Sequence, residues 1–250
     1  MTTTDHTGIL VRPDGLARIR DRVAVETTVT ISCNGAPVSA QVASPDHLRE
    51  LGAGHVVAEG ICRRVVDVRV EGERIDVTGD GVVEPGTLPR VTHTGTISRD
   101  LVLRVRQAIE SETWAQTGGV HAAALFSDGT PVIRICDIGR HNAVDKCIGH
   151  AVLTGLDPGS CILGCSGRQP SAMVAKAARA GIPIIVSRAS STDQGIACAG
   201  EAGITLVCFA RNRRFTVYTH PERIEGLPTR KEDIESLDMV SVPGEEEIHG

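Results

Sequence analysis

The sequence predicts an α/β protein, a mixed sheet with flanking helices, preceded by a smaller N-terminal α+β region of hairpins and one helix. Three observations carry this. Between Cys161 and Phe209, three short apolar runs alternate with two helical stretches, a rhythm that implies parallel strands joined by right-handed crossovers. Asn34-Gly35 and Asp128-Gly129 each separate two apolar runs and supply hairpin turn chemistry. The pattern then breaks at Gly79-Asp80-Gly81 and at Glu84-Pro85-Gly86-Thr87-Leu88-Pro89, which sets a boundary. Four segments follow: a loosely ordered N-terminus (1–20), an α+β subdomain (21–89), an α/β domain (90–224) and an acidic tail (225–250).

In chain order, Val23 to Ile31 alternates as a strand and Val38 to Val42 returns after the Asn-Gly turn. Ser44-Pro45-Asp46 is expected to cap a helix whose apolar face is Leu48, Leu51, Val56 and Val57. Val65 to Val70 and Arg74 to Val77 form a second hairpin around Glu71-Gly72-Glu73. Ser98 caps a helix with Leu101, Val102, Val105, Ala108 and Ile109 facing inward. A central hairpin follows, Val120 to Phe126 and Val132 to Cys136, and its second strand runs through Asp137-Ile138-Gly139-Arg140-His141-Asn142 into a helix expected to be capped by Asn142. The runs Cys161–Cys165, Ile182–Val186 and Ile204–Phe209 then alternate with helices 171–180 and 193–202, ended by Gly181 and Gly203; Phe215 to Thr219 returns.

The chain has 250 residues, 41% hydrophobic and 23% charged, and so few aromatics that Val, Ile, Leu and Ala must form the core. No run is long enough to span a bilayer and the first residues lack a signal-peptide pattern, so a cytoplasmic protein with no membrane partner is expected. Its eight cysteines mostly sit within apolar runs, and nothing requires a disulfide. From Glu225 onward eight acids face two bases, a net charge of minus six in a chain of minus five, so the body carries about plus one. A nearly neutral body argues against broad nucleic-acid binding.

Ligands of such sheets lie beyond the carboxyl ends of the strands, and three polar loops occupy that position: Asp137–Asn142, Ser166–Ser171 and Ser187–Thr192. Gly139, a helix N-terminus, Arg140, His141 and Lys146 suit an anion, with Asp137 and Asp145 holding the cations or binding a ligand N–H. Ser166, Gly167 and Arg168 suit phosphate, although the order of a P-loop is missing. Phe209, Ala210, Arg211, Asn212, Arg213 and Arg214 offer an aromatic beside three arginines, suited to a base and its phosphate. These turns are expected to converge on one pocket. His121 lacks the following H-x-E glutamate and any C-x-x-C, which argues against zinc deamination; no protein-bound metal is expected. Cys165, at a strand end beside Ser166, Arg168 and a helix N-terminus, is the candidate for an activated thiolate.

The stretches LGAGHVVAEGI (51–61), TGGVHAAAL (117–125), DIGRHNAVDK (137–146), SGR followed by MVAKAARAGIP (166–183) and FTVYTHPERI (215–224) resemble the FdhD family, sulfurtransferases that help mature formate dehydrogenase. The resemblance implies a cytidine-deaminase-like fold without zinc, usually dimeric. It implies sulfur taken from a cysteine desulfurase as a persulfide and delivered to the molybdenum bis(guanine dinucleotide) cofactor of formate dehydrogenase or a related molybdenum or tungsten enzyme. It also implies guanine nucleotide binding at the three loop groups named above, with Phe209–Arg214 matching a cofactor-contacting segment. The family carries sulfur on a C-G-x-C-G loop ahead of the TGG motif, whereas no cysteine occurs here between Cys62 and Cys136, and Thr94-Gly95-Thr96-Ile97 is the nearest local match. A hydroxyl cannot hold a persulfide, so the catalytic residue is unassigned. Two classes stay open: a sulfurtransferase using another thiol, or a non-catalytic cofactor-binding chaperone.

Overall fold

The computed structural model describes residues 2–81, 88–211 and 213–240. Glu84 to Thr87 of the expected boundary, Asn212 and the tail beyond Val240, with Glu245, Glu246 and Glu247, lie outside the described residues. The chain begins with an antiparallel hairpin, β1 (Thr3–Arg12) and β2 (Gly15–Ala24), paired from Thr3↔Ala24 to Arg12↔Gly15. This corrects the expectation of a loose N-terminus: the ladder is regular although most of its side chains are exposed.

A β-β-α-β-β unit follows: β3 (Thr27–Cys33), β4 (Ala36–Ala43), α1 (Leu48–Ala58), β5 (Arg64–Glu71) and β6 (Arg74–Asp80), in a sheet ordered β4-β3-β6-β5. In β3, Val29, Ile31 and Cys33 are buried while Thr28 and Thr30 are exposed, the period of two that fixes which face meets the core. Asn34 and Gly35 both take positive φ, 52° and 79°, the turn geometry their identity predicts. Ser44 does not cap α1; its hydroxyl accepts from Ile138 N–H (3.3 Å), and the N-cap is His47, with no side-chain cap bond.

Next come α2 (Arg99–Ala108), capped by Ser98, and α3 (Glu112–Thr117), a short helix capped by Ser111 that sequence reasoning missed. The remaining elements are β7 (His121–Ser127), β8 (Thr130–Asp137), α4 (Arg140–Thr154), β9 (Cys161–Cys165), α5 (Ser171–Ala180), β10 (Ile184–Ser187), α6 (Asp193–Ala202), β11 (Thr205–Arg211), β12 (Arg214–Thr219) and α7 (Lys231–Glu235). They build a six-stranded mixed sheet ordered β12-β11-β10-β9-β7-β8, parallel only across β9, β10 and β11. Asn142 and Ser171 do not cap: Gly139 and Pro170 hold those positions without side-chain bonds.

α2 covers one face of this sheet through Leu101, Val102, Val105 and Ile109, packed on Ala122, Ala124, Phe126, Ile162 and Val186. The other face carries Leu125, Leu163, Ile185 and Leu206 against Val144, Ile148, Met173 and Ala177, and this core runs on without a break into Leu51, Val56, Val29 and Ile75 of the N-terminal unit. Two glycines permit that continuity. A Cβ on Gly54 would enter the carbonyl of Asp145 and one on Gly149 the carbonyl of Glu50, so α1 and α4 cross backbone to backbone. None of the described helices is long and apolar enough to cross a membrane.

Candidate functional site

Because β7 runs antiparallel to β9, with Ala123 opposite Cys165, the start of β7 lies beside the carboxyl ends of β9, β10 and β11. A cleft of about 490 Å³ opens there, between these strand ends and α3. Its wall includes Ser111, Trp114, His121, Ser166, Arg188 and Arg211, with Ile109, Val120 and Ala189 as the apolar part. The carboxyl-end rule thus locates the cleft, and two of the three polar loops reach it.

Hydrogen bonds knit the rim: Arg188 N–H donates to Cys165 O (3.0 Å) and Phe209 N–H to Ala189 O (3.1 Å) along the backbone, and the Arg211 side-chain Nε–H donates to Arg188 O (3.0 Å). The Arg188 guanidinium lies over the Trp114 ring, 5.6 Å from its centroid, and Trp114 is 50% exposed, so the indole stays accessible. Ser166 Oγ accepts from Ala122 N–H (2.9 Å) and sits 3.3 Å from His121 Nδ1. Burial holds His121 below its ordinary pKa, the Arg140 charge pushes it further down and Asp137 opposes, so at neutral pH this pair offers a hydroxyl and an uncharged imidazole. Arg140 packs against Gly167, where a Cβ would meet its side chain, and its buried Nε has no hydrogen-bond partner. Among the described residues, Arg140, Arg168, Arg188 and Arg211 form no ion pair with a carboxylate. Two such guanidinium groups in the cleft wall, Arg188 and Arg211, with Arg140 beside His121 behind it, are an anion-attracting arrangement.

The other predicted residues are distributed differently. Asp137 is 0% exposed and saturated: it pairs with Lys146 Nζ (2.6 Å) and accepts from Ser44 N–H, Gly139 N–H and the Asn142 amide. Asn142 also donates to Val42 O, and Lys146 to Ser44 O and Asp46. Asp137 and Asn142 therefore fasten the two sheets together. His141 turns toward a second buried cluster, where Asp145 accepts from His55 (3.0 Å) and Lys176 (2.8 Å) and Lys176 reaches Glu59 (2.6 Å). Burial and the charges of Lys176 and Arg140 lower its pKa against Asp145 and Glu59. Phe209 has φ of 50° at a bulge in β11, Ala210 is fully buried, and Arg213 and Arg214 are exposed on the following turn. Arg168 is exposed on its loop. Asp137, Arg168 and Arg214 are all absent from the wall of the cleft beside α3, so the expected convergence of these three is not seen there.

Cys165 is also corrected. It is 3% exposed and burial pushes its pKa up to about 12, against the hydrogen bond from Gln169, so it is a core thiol rather than a thiolate. Cys161 is fully buried in the same strand. Thr94, Gly95 and Thr96 are exposed, and their neighbours bind the amino-end edge of the sheet: Val91 N–H donates to Ala202 O and Arg223 bridges His93 O and Gly203 O. That segment lies across the sheet from the cleft. Sequence reasoning missed Trp114, Arg188 and Ser111; the signals were the single tryptophan, set three residues after a capping serine, and an arginine at the start of a loop already singled out.

The FdhD/NarQ family model matches residues 76–225. "Protein FdhD" of Methanocaldococcus jannaschii is 36% identical over 203 residues, covering 80% of this chain and 89% of that protein. "Sulfur carrier protein FdhD" of Methanothermobacter thermautotrophicus is 32% identical over 235 residues, covering 84% and 94%. The crystal structure of a protein from Desulfotalea psychrophila, described as a candidate formate dehydrogenase accessory protein, superposes with a TM-score of 0.82 at 30% identity, over 90% of this chain and 100% of that one. With the motifs, the sheet and its cleft already on these residues, the chain belongs to the FdhD/NarQ family.

Proposed function

We propose that this protein is an accessory factor for formate dehydrogenase maturation that holds a guanine-nucleotide form of the molybdenum cofactor as cargo in the cleft beside α3. The observation that carries the reading is the exposed Trp114 ring, with Arg188 over it, set among arginines that have no carboxylate partner in the described residues. Trp114 stacks the base, Arg188 and Arg211 bind phosphate with Arg140 behind them, and His121 and Ser166 bond the ribose or phosphate oxygens. We read the six-stranded sheet as a cytidine-deaminase-like scaffold whose former catalytic end serves binding alone. The partners this reading requires are formate dehydrogenase or a related molybdenum or tungsten enzyme and, upstream, a cysteine desulfurase in the cytoplasm.

Calorimetry with GDP tests the site. GDP binds the wild type, guanosine binds more weakly, and the Arg188→Gln/Arg211→Gln variant loses affinity; equal affinity in that variant places the nucleotide elsewhere.

One observation favours the reading in which sulfur is not carried on this chain. Among the described residues, six of the eight cysteines are buried and only Cys136 and Cys198 are partly accessible, while the segment nearest to the sulfur loop has Thr and Ile. Persulfide transfer needs a reachable thiolate. Incubation with a cysteine desulfurase and labelled cysteine leaves no stoichiometric, reducible label on the protein; such a label on any cysteine reinstates the sulfurtransferase reading.

A further inference from the structure

The cleft beside α3 is lined by arginines, yet its wall also holds an acid. Among the described residues that line it, Glu110 is the single carboxylate, at the joint between α2 and α3 and four residues before Trp114. The joint is braced from three sides. Glu110 N–H donates to Gln107 O (3.1 Å), Arg134 reaches from β8 to the carbonyl of Glu110 (2.8 Å), and Trp114 N–H donates to Ser111 Oγ (3.2 Å). Arg106, one helical turn back, holds Oε1 of the carboxylate at 2.6 Å, and the Glu110 side chain remains 51% exposed. The acid is therefore fixed in place without being buried.

A negative charge on this wall works against a bound phosphate, so its favourable contact is with a part of the ligand that donates hydrogen bonds. An ionised carboxylate accepts only, and its two oxygens offer about four acceptor positions, so the bond from Arg106 leaves room for a pair of donors. Among the common nucleobases, guanine presents two adjacent donors on one edge, N1–H and the 2-amino group. Adenine and cytosine set a ring-nitrogen acceptor beside their amino group, and uracil flanks its N3–H with carbonyls.

We infer that Glu110 selects guanine in this cleft by accepting from N1–H and from the 2-amino group of the base that stacks on Trp114. The inference rests on the proposed nucleotide site and adds to it the origin of base selectivity. An adenine in the same place turns a lone pair toward the carboxylate and leaves it unsatisfied, so the residue that favours one purine also rejects the other.

Calorimetry with the diphosphates of guanosine, inosine, adenosine and xanthosine tests this. The wild type binds GDP, and it binds the inosine compound, which lacks the 2-amino group, about 10-fold more weakly and the adenosine compound more weakly still. Glu110→Gln exchanges one acceptor for a donor: GDP affinity falls by about 10-fold or more, and the preference for GDP over the inosine compound disappears. Xanthosine diphosphate, with a carbonyl where guanine has its amino group, binds Glu110→Gln more tightly than it binds the wild type, a gain that misfolding cannot mimic. Wild-type GDP affinity in the variant, or no gain for the xanthosine compound, overturns the inference, while the nucleotide site stands if Arg188→Gln/Arg211→Gln still loses GDP. A wild type that does not bind GDP, or binds it independently of those arginines, removes the site and the inference with it.

Discussion

Trp114→Ala is the sharpest test of the cleft, because its effect on binding separates from any effect on folding. The ring is half exposed and α3 buries none of its residues, so removing the indole leaves no cavity, and alanine suits a helix better than tryptophan. The expected stability change is within about 0.5 kcal/mol. Binding is different. Stacking a base on an aromatic side chain contributes about 1–3 kcal/mol, a loss of about 5-fold to 150-fold in affinity at roughly 1.4 kcal/mol per factor of ten. The contact of Arg188 with the ring is already made in the free protein and is not added to this figure. Trp114 is the only tryptophan, so intrinsic fluorescence reports the event directly: GDP quenches it in the wild type, and calorimetry gives the loss for Trp114→Ala, with Trp114→Phe in between. An unchanged emission together with wild-type affinity in Trp114→Ala refutes the stacking platform.

Other consequences concern the frame. Gly149→Ala drives a Cβ into backbone on α1, which cannot rotate away, so urea unfolding shows a loss of about 3 kcal/mol, and a loss under about 0.5 contradicts the close crossing. Lys146→Met leaves Asp137 buried without its counter-charge and lowers stability by about 3–5 kcal/mol; Lys146→Met/Asp137→Asn recovers a large part of this, and equal instability in both variants disproves the pairing. His121 and His141 both have folded pKa values depressed by burial below 6.5, so each favours folding fully above about pH 6.5 and progressively less as pH falls through its folded value. NMR titration shows both transitions below 6.5, Arg140→Gln moves that of His121 upward, and a transition at or above 6.5 in the wild type contradicts the burial argument. Alkylation of the native protein at pH 8 modifies Cys136 and Cys198 while Cys165 stays intact until unfolding; rapid reaction at Cys165 removes its assignment to the core.

Much of the fold was legible because its signals are local. Asn34-Gly35 and Asp128-Gly129 adopt the positive φ angles that only such residues take readily, and the buried runs of β9 and β10 read as central parallel strands because all their residues are apolar or small. The misses have physical causes. β1 and β2 bury almost nothing, so no apolar alternation marks them. The neighbours of Asn142 in sequence predict a cap, but its amide bonds Val42, a hundred residues away, and the Ser44 hydroxyl likewise accepts from the distant Ile138 N–H. Local rules see a side chain's capacity to bond and not the distant partner that claims it. The cleft was foreseen by topology, while Trp114 entered it through a helix of only six residues that no periodicity could announce.

The DIGRHNAVDK stretch shows how a charged motif contributes to a site it does not line. Buried ion pairs contribute little net stability, since desolvation offsets their attraction, but they penalise every arrangement that leaves one partner alone. Asp137 lies directly opposite His121 in the β7–β8 ladder, and its carboxylate is locked to Lys146, Ser44, Gly139 and Asn142. A slip of β8 by one residue would turn Asp137 to the other face and strand Lys146 inside the core. The ion pair therefore fixes the register in which His121 reaches Ser166, and the adjacent Arg140 packs on Gly167 and depresses the imidazole. Substitutions at Asp137 consequently act on the ligand through His121 and through folding. Their effect on nucleotide affinity accompanies a shift in the His121 titration, whereas Arg211→Gln, at the rim, changes affinity and leaves that titration where it was.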